Sequence, residues 1–155
     1  MVGIILAAGM GQRLGKLTES TTKGQLSFGD NSLIIRLLEQ IKRTEVFEEV
    51  IIVVGYQKEN LIDHINGSFQ GLKVSFVAND IFDETNNIYS LYLAKHFLTA
   101  SDCVIFESDL VLDEDIIKRF VSSDHQNSVM LAKYESWMDG TVVELGKNDK
   151  ILKFI

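Results

Sequence analysis

Met1-Val2-Gly3-Ile4-Ile5-Leu6-Ala7-Ala8-Gly9-Met10-Gly11-Gln12-Arg13-Leu14-Gly15-Lys16 opens the chain, and its reading decides the fold. Val2 to Leu6 is apolar at nearly every position instead of alternating, the pattern of a parallel strand covered on both faces. The character then changes at once. Small residues and three glycines allow sharp turns and close backbone approach to a ligand. Arg13 and Lys16 follow, and then Lys23. A run of free backbone N–H groups beside cations suits a polyphosphate, and the first strand of an open α/β sheet delivers such a loop to the ligand crevice.

Two familiar phosphate motifs fail at defined positions. The dinucleotide fingerprint G-x-G-x-x-G needs a third glycine where Leu14 stands, and it needs an acidic residue after a second strand that instead ends Val53-Val54-Gly55. The P-loop G-x-x-x-x-G-K-[ST] fits at Gly15-Lys16 but meets Met10 and Leu17 at its ends. A third pattern fits: Leu6 to Leu14, then Leu17-Thr18, then Thr22-Lys23-Gly24-Gln25-Leu26. It resembles the N-terminal signature, beginning L-A-A-G-x-G-x-R-L, of the nucleotidyltransferases that activate sugar phosphates and phosphocholine. That family has a proline where this chain has Thr22, which puts the stiffness of the lysine's loop in question.

The rest of the chain alternates helix and strand signals. Asn31-Ser32 can cap a helix with an apolar stripe of Leu33, Ile34, Leu37, Leu38 and Ile41. Val50 to Val54 reads as a second buried strand. A helix carrying Leu61, Ile62 and Ile65 follows and closes at an Asn66-Gly67 turn. Leu72 to Val77 reads as a third strand, and a helix runs from about Asn86 to Leu98. Cys103 to Phe106 is a fourth strand, Asp113 precedes a helix holding Ile116, Ile117, Phe120 and Val121, and Val129 to Ala132 is a fifth strand. Segments 141–145 and 151–155 form a hairpin. These elements predict a three-layer α/β/α sandwich around a mainly parallel, Rossmann-like sheet.

Composition narrows the function. The chain has 155 residues, 46% hydrophobic and 24% charged, which fits one soluble domain. A net charge of −7 argues against a nucleic-acid surface. No apolar run reaches membrane-spanning length, the opening run is too short for a signal peptide, and the lone Cys103 suits a reducing cytoplasm. The three histidines, His64, His96 and His125, have no metal spacing and are expected on the surface.

Strand ends place the remaining candidates. Glu107-Ser108-Asp109 follows the fourth strand, and a carboxylate there can hold Mg²⁺ against a nucleotide phosphate. The alternative for Asp109 is a turn or cap residue, but Asp113 is available to cap the next helix. The resemblance assigns the metal to Asp109, with Glu107 the weaker candidate. Asn86-Asn87 can cap a helix, although Asn and Ser side chains also read a base edge. Asn86-Asn87-x-x-Ser90-Leu91 resembles the matching segment of bacterial choline-phosphate cytidylyltransferases. Trp137 beside Asp139 suits a quaternary ammonium group; the alternative is a partly buried tryptophan on a sheet edge with no ligand.

The resemblance implies Mg²⁺-dependent transfer of a nucleotidyl group from an NTP, CTP first, to a small phosphorylated acceptor such as phosphocholine, with release of pyrophosphate. It implies nucleotide contacts at Leu6, Ala7, Ala8, Gly9, Gly11, Asn87 and Ser90, catalytic roles for Arg13, Lys23 and Asp109, and acceptor contacts at Trp137 and Asp139. A sugar-1-phosphate enzyme using UTP or dTTP, and a regulatory nucleotide-binding module, are the alternatives. Relatives of this kind bring a second metal carboxylate from a longer C-terminal portion, so the expectation is one nucleotidyltransferase domain, 1–155, with its nucleotide half complete and its acceptor half not.

Overall fold

The computed structural model describes residues 1–113, 115–138 and 140–155. They fall into two compact units, Met1–Ser122 and Ser123–Ile155.

In the first unit, β1 is Val2–Ala7, buried at every position. Two short 3₁₀ segments, Gln12–Thr18 and Lys23–Gln25, follow, and then a small antiparallel pair, β2 (Ser27–Phe28) and β3 (Asn31–Ser32). Helix α1 spans Leu33–Arg43, β4 Glu49–Val54, α2 Lys58–Ser68 and β5 Lys73–Ala78. Helices α3 (Asn87–Leu93) and α4 (Lys95–Ala100) lead to β6 (Cys103–Glu107) and α5 (Ile116–Val121). The four long strands form a parallel sheet in the order β5-β4-β1-β6.

The continuous apolar run of β1 has a plain cause. Ile5 and Ala7 face one layer, with Ile34, Leu37, Leu38 and Ile41 of α1, Leu61 and Ile65 of α2, and Ile117 of α5. Val2, Ile4, Leu6 and Ala8 face the other, with Ala94, Phe97 and Leu98 from the α3–α4 segment. β4 divides likewise, Val50, Ile52 and Val54 to the first layer, Ile51 and Val53 to the second. Each such side chain contributes about 1.5–3 kcal/mol by leaving water, so the two central strands anchor both layers. The expected layered sandwich is what the chain forms.

Several local expectations need correction. The helix expected from Asn86 to Leu98 is two helices meeting at Ala94, whose ψ is 9°. Ala94 is fully buried in the second layer, where a small side chain lets the backbone bend against the sheet. Asn66-Gly67 makes no turn, because α2 runs on to Ser68. Asp113 does not cap α5; Asp115 precedes it, without a side-chain cap. His64 is partly buried, its Nε2 lying 2.8 Å from the Ser32 hydroxyl that caps α1.

In the second unit, β7 (Val143–Leu145) and β8 (Ile151–Phe154) form the expected antiparallel hairpin, Val143 opposite Phe154. Val129 to Ala132 is not a strand: it is exposed and pairs with no strand among the described residues. Apolar, β-branched composition favours a strand only where a neighbour takes up its backbone N–H and C=O groups.

Candidate functional site

The chain runs from β1 outward to β4 and β5, then crosses back to lay β6 on the opposite side of β1. The order of connection therefore reverses at β1. In open α/β sheets, ligands bind outside the carboxyl ends of the strands at such a switch point. Here that point is flanked by the glycine-rich loop after β1 and by Glu107-Ser108-Asp109 after β6.

The loop is held from several sides. Gly11 adopts φ 66°, ψ 28°, a left-handed conformation that favours glycine. Its carbonyl accepts hydrogen bonds from Leu14 N at 2.9 Å and Thr18 Oγ1 at 3.1 Å. Tyr56, just past β4, donates its backbone N–H to Ala8 O at 3.0 Å and its hydroxyl to Glu19 O at 2.6 Å, with Thr18 O at 3.0 Å, tying both ends of the loop to the neighbouring strand tip. Gly55 is required there, since a Cβ would lie 2.8 Å from Ala8 O and 2.8 Å from Phe82 Cβ.

Lys23 sits on the short 3₁₀ turn that follows. Where the resembling family has proline, Thr22 is extended, and its N–H and hydroxyl both donate to Gln25 Oε1 at 3.1 Å. Gln25 Nε2 in turn donates to Asn60 Oδ1 at 3.0 Å. A hydrogen-bonded brace thus fixes the lysine's turn in place of a ring. The turn packs on the β6 loop at Gly24, where a Cβ would meet Ser108 O at 3.2 Å. Lys23 Nζ consequently reaches Asp109 Oδ2 at 3.1 Å, across 86 positions of sequence.

A cavity of about 700 Å³ opens here, lined by Gly9, Gly11, Arg13, Lys23, Thr85 and Asp109 among others. The structure thereby brings together the loop, both cations and the carboxylate singled out from sequence. Leu6, Ala7 and Ala8 lie buried beneath it, so their main chain and not their side chains can meet a ligand.

Asn87, in the first turn of α3, stands two residues past the cavity-lining Thr85. Its Nδ2 donates to Glu107 Oε1 at 3.1 Å, while neighbouring Asn86 caps α3 by accepting from Ile88 N at 3.1 Å. Desolvation, and then the Asp109 charge, push the Glu107 carboxyl above its ordinary range, opposed by Lys23 and by the Asn87 hydrogen bond. Ser90 is elsewhere. It is buried, and its hydroxyl accepts from Asn79 Nδ2 at 3.1 Å. Asn79 also donates to Thr85 Oγ1 at 3.0 Å and accepts from Ile81 N at 3.2 Å, so it organises the loop that carries Thr85 to the cavity. Trp137 is 77% exposed on a turn of the second unit. Asp139 lies outside the described residues.

Tyr56 and Asn79 stand just past the ends of β4 and β5, where the strand-end rule already points, whereas Thr22 and Gln25 went unread as residues that shape the site. Their signal is weak, being ordinary polar types whose partners lie far away in sequence or across a turn. Among the described residues no cluster of three or more His, Cys, Asp or Glu side chains forms a protein-only metal cage. Asp109 alone fits a Mg²⁺ ion that takes most of its oxygen ligands from phosphate and water. No described helix is long and apolar enough to cross a membrane.

Known proteins carry the same design. Residues 3–143 match the model of the MobA-like NTP transferase domain. The choline-phosphate cytidylyltransferase of Streptococcus pneumoniae is 35% identical over 136 residues, 86% of this chain and 54% of that protein. The CMP-5'-(3-aminopropyl)phosphonate synthase of Streptomyces rubellomurinus is 26% identical over 98% of this chain and 24% of its own length. The structure of the S. pneumoniae CTP:phosphocholine cytidylyltransferase superposes with a TM-score of 0.71 and 28% identity, covering 99% of this chain and 64% of that one. The chain thus spans between about a quarter and two thirds of the length of these relatives. With the match running through nearly all of its residues and the loop, lysine and carboxylate assembled at one switch point, the chain belongs to the MobA-like NTP transferase domain family.

Proposed function

We propose that the protein transfers a cytidylyl group from CTP to a small amino-alkyl phosphate or phosphonate, phosphocholine first among them. The observation that carries this reading is the convergence of the Gly9–Gly11 loop, Arg13, Lys23 and Asp109 on one cavity. Support for the base and acceptor comes from two relatives whose names each couple a cytidine nucleotide to a phosphorus acid bearing an alkyl nitrogen.

An oxygen of the acceptor attacks the α-phosphorus in line, the new P–O bond forms as the bond to the β-phosphate oxygen breaks, and pyrophosphate leaves. No covalent intermediate is needed, so catalysis is alignment and charge neutralisation. The main chain from Leu6 to Gly11 approaches the nucleotide through backbone N–H groups. Arg13 offsets charge on the departing β- and γ-phosphates, and Lys23 does so at the reacting phosphates. Asp109 would hold Mg²⁺, which supplies further neutralisation of the triphosphate. Asn87 contacts the nucleotide. Ser90 acts behind the surface, through Asn79. For the acceptor's ammonium group, Trp137 and Asp139 are proposed on residue chemistry, an aromatic face and a carboxylate.

The test is calorimetric titration with CTP, UTP, ATP and GTP in Mg²⁺, followed by measurement of pyrophosphate release on adding phosphocholine. CTP binding at least about tenfold tighter than UTP, with phosphocholine-dependent release, is the expected result. Equal affinity for the four nucleotides, or binding of none, would reject the assignment.

A further inference from the structure

The carboxylate of Glu107 has no task in the mechanism above, yet it holds the amide of Asn87, and the two stand two residues from Asp109 and Thr85 respectively, which line the cavity. Asn86 already caps α3 through its own Oδ1, so the helix does not need Asn87 for that purpose. Asn87 instead directs its amide NH₂ to Glu107 Oε1 at 3.1 Å. Glu107 is fixed in turn by the sheet, paired in register with Leu6 at the tip of β1 and two residues before Asp109. A carboxylate accepts hydrogen bonds and cannot donate them, whereas an amide carries a donor on one side and an acceptor on the other. Pairing with Glu107 therefore dictates which way the Asn87 amide lies. Its Oδ1, on an exposed residue, takes no hydrogen bond among the described residues.

We propose that Glu107 is a positioning residue for nucleotide selection, locking Asn87 so that it presents an acceptor and so favours a nucleotide with a hydrogen-bond donor there. This rests on the reading of the cavity as a nucleotide site. Two groups on CTP are such donors: the 4-amino group of cytosine, replaced in uracil by an oxygen that repels an acceptor, and a ribose hydroxyl. A mismatch leaves polar groups unpaired and costs on the order of tenfold in affinity or more.

Glu107→Gln breaks the lock without removing bulk, because its amide can donate or accept and no longer dictates the orientation of Asn87. In the double variant N87D/E107Q the hydrogen bond reverses. Gln Nε2 donates to the Asp carboxylate, whose second oxygen again faces outward as an acceptor. The experiment is calorimetric titration of the parent and both variants, each with Mg²⁺ and CTP, UTP, 2′-deoxy-CTP or 3′-deoxy-CTP. Ratios taken within one preparation are insensitive to the fraction folded.

If Asn87 reads the base, E107Q should bring a CTP:UTP ratio of about tenfold or more down to two- or threefold, and N87D/E107Q should recover most of it. If Asn87 reads the ribose, the ratio of CTP to one deoxynucleotide moves in the same way instead. The proposal is overturned if E107Q shifts none of these ratios by more than twofold, or if the double variant is no more selective than the single one. A parent that binds none of the four nucleotides removes the functional reading together with this one. A selective parent whose E107Q variant is equally selective removes only the role of Glu107.

Discussion

Gly11→Ala and Gly9→Ala place the same methyl group two residues apart in the phosphate loop, and the structure assigns them different effects. At Gly11 the backbone is left-handed, with φ 66°, a conformation that costs a residue bearing Cβ roughly 1–2 kcal/mol. The new Cβ would also lie 2.8 Å from Lys23 Cγ and 3.1 Å from Thr18 Cγ2. Lys23 is flexible and gives way, but its stem then carries Nζ off the Asp109 carboxylate. Both groups of that pair are about a third exposed, so its loss adds roughly 0–1 kcal/mol. The total, about 1–3 kcal/mol, should lower the thermal midpoint by about 3–10 °C. At Gly9 no atom lies within 4 Å of the added Cβ, and its φ is not in the left-handed range. Stability there should change by no more than about 0.5 kcal/mol. Gly9 lines the cavity, however, so its methyl group should still obstruct the triphosphate. Thermal unfolding and CTP titration in Mg²⁺ on both variants separate the two effects. Gly11→Ala loses stability and affinity, whereas Gly9→Ala loses affinity alone. Equal unfolding midpoints for the two variants would refute the account of how the loop is strained.

Other substitutions test the remaining parts. Asp109→Asn should keep the fold and abolish the response of CTP affinity to Mg²⁺ in a calorimetric titration, because a neutral amide oxygen replaces a hard anionic one; an undiminished response would make Asp109 a turn residue. Arg13→Ala should weaken CTP by about tenfold or more while leaving CMP nearly unchanged, and equal losses would move Arg13 away from the terminal phosphates. Gly55→Ala drives a Cβ into the Ala8 carbonyl and Phe82 and should destabilise by about 1–3 kcal/mol in urea unfolding. Glu49 is held below its ordinary value of 4.5, chiefly by the Ser75 hydroxyl and then by Lys73. Its stabilising effect is present above the unfolded value and is lost as pH falls through the folded one. Ser75→Ala should therefore reduce the loss of stability below about pH 4.5, read as midpoint against pH.

What the sequence made legible was whatever depends on local pattern. β1 and β4 were readable because both faces are covered, which leaves no polar position in Val2–Ala7 or in Val50 to Val54. Arg13, Lys23 and Asp109 were readable because cations beside glycines, and an aspartate at a strand end, are unusual where they stand. The failures share another cause. Val129 to Ala132 has strand composition but no partner strand, and a partner is not a local property. Ser90 is a different case: its chemistry permits a ligand contact, and only the fold shows that its hydroxyl accepts from Asn79. The Thr22–Gln25 brace was equally hidden, since a family proline suggests stiffness by a ring and gives no hint of stiffness by hydrogen bonds.

β6 is one of the two edge strands of the four-stranded sheet, and it is the edge that ends in Glu107 and leads to Asp109. β1, β4 and β5 with α1 and α2 come from residues 2–78 and pair among themselves, while β6 pairs only with β1 in the sheet. Release of β6 is one sub-global opening, and it takes Glu107 and Asp109 away from Asn87 and Lys23 and dissolves the cavity. A ligand that spans the switch point binds only the closed form, and at a hundredfold excess over Kd it raises the free energy of that opening by about 2.7 kcal/mol. Amide exchange in Cys103–Glu107 should slow by nearly a hundredfold when nucleotide is added, while amides shared by β4 and β5 that exchange without release of β6 keep their rates. The nucleotide is in this sense a clasp on that edge strand.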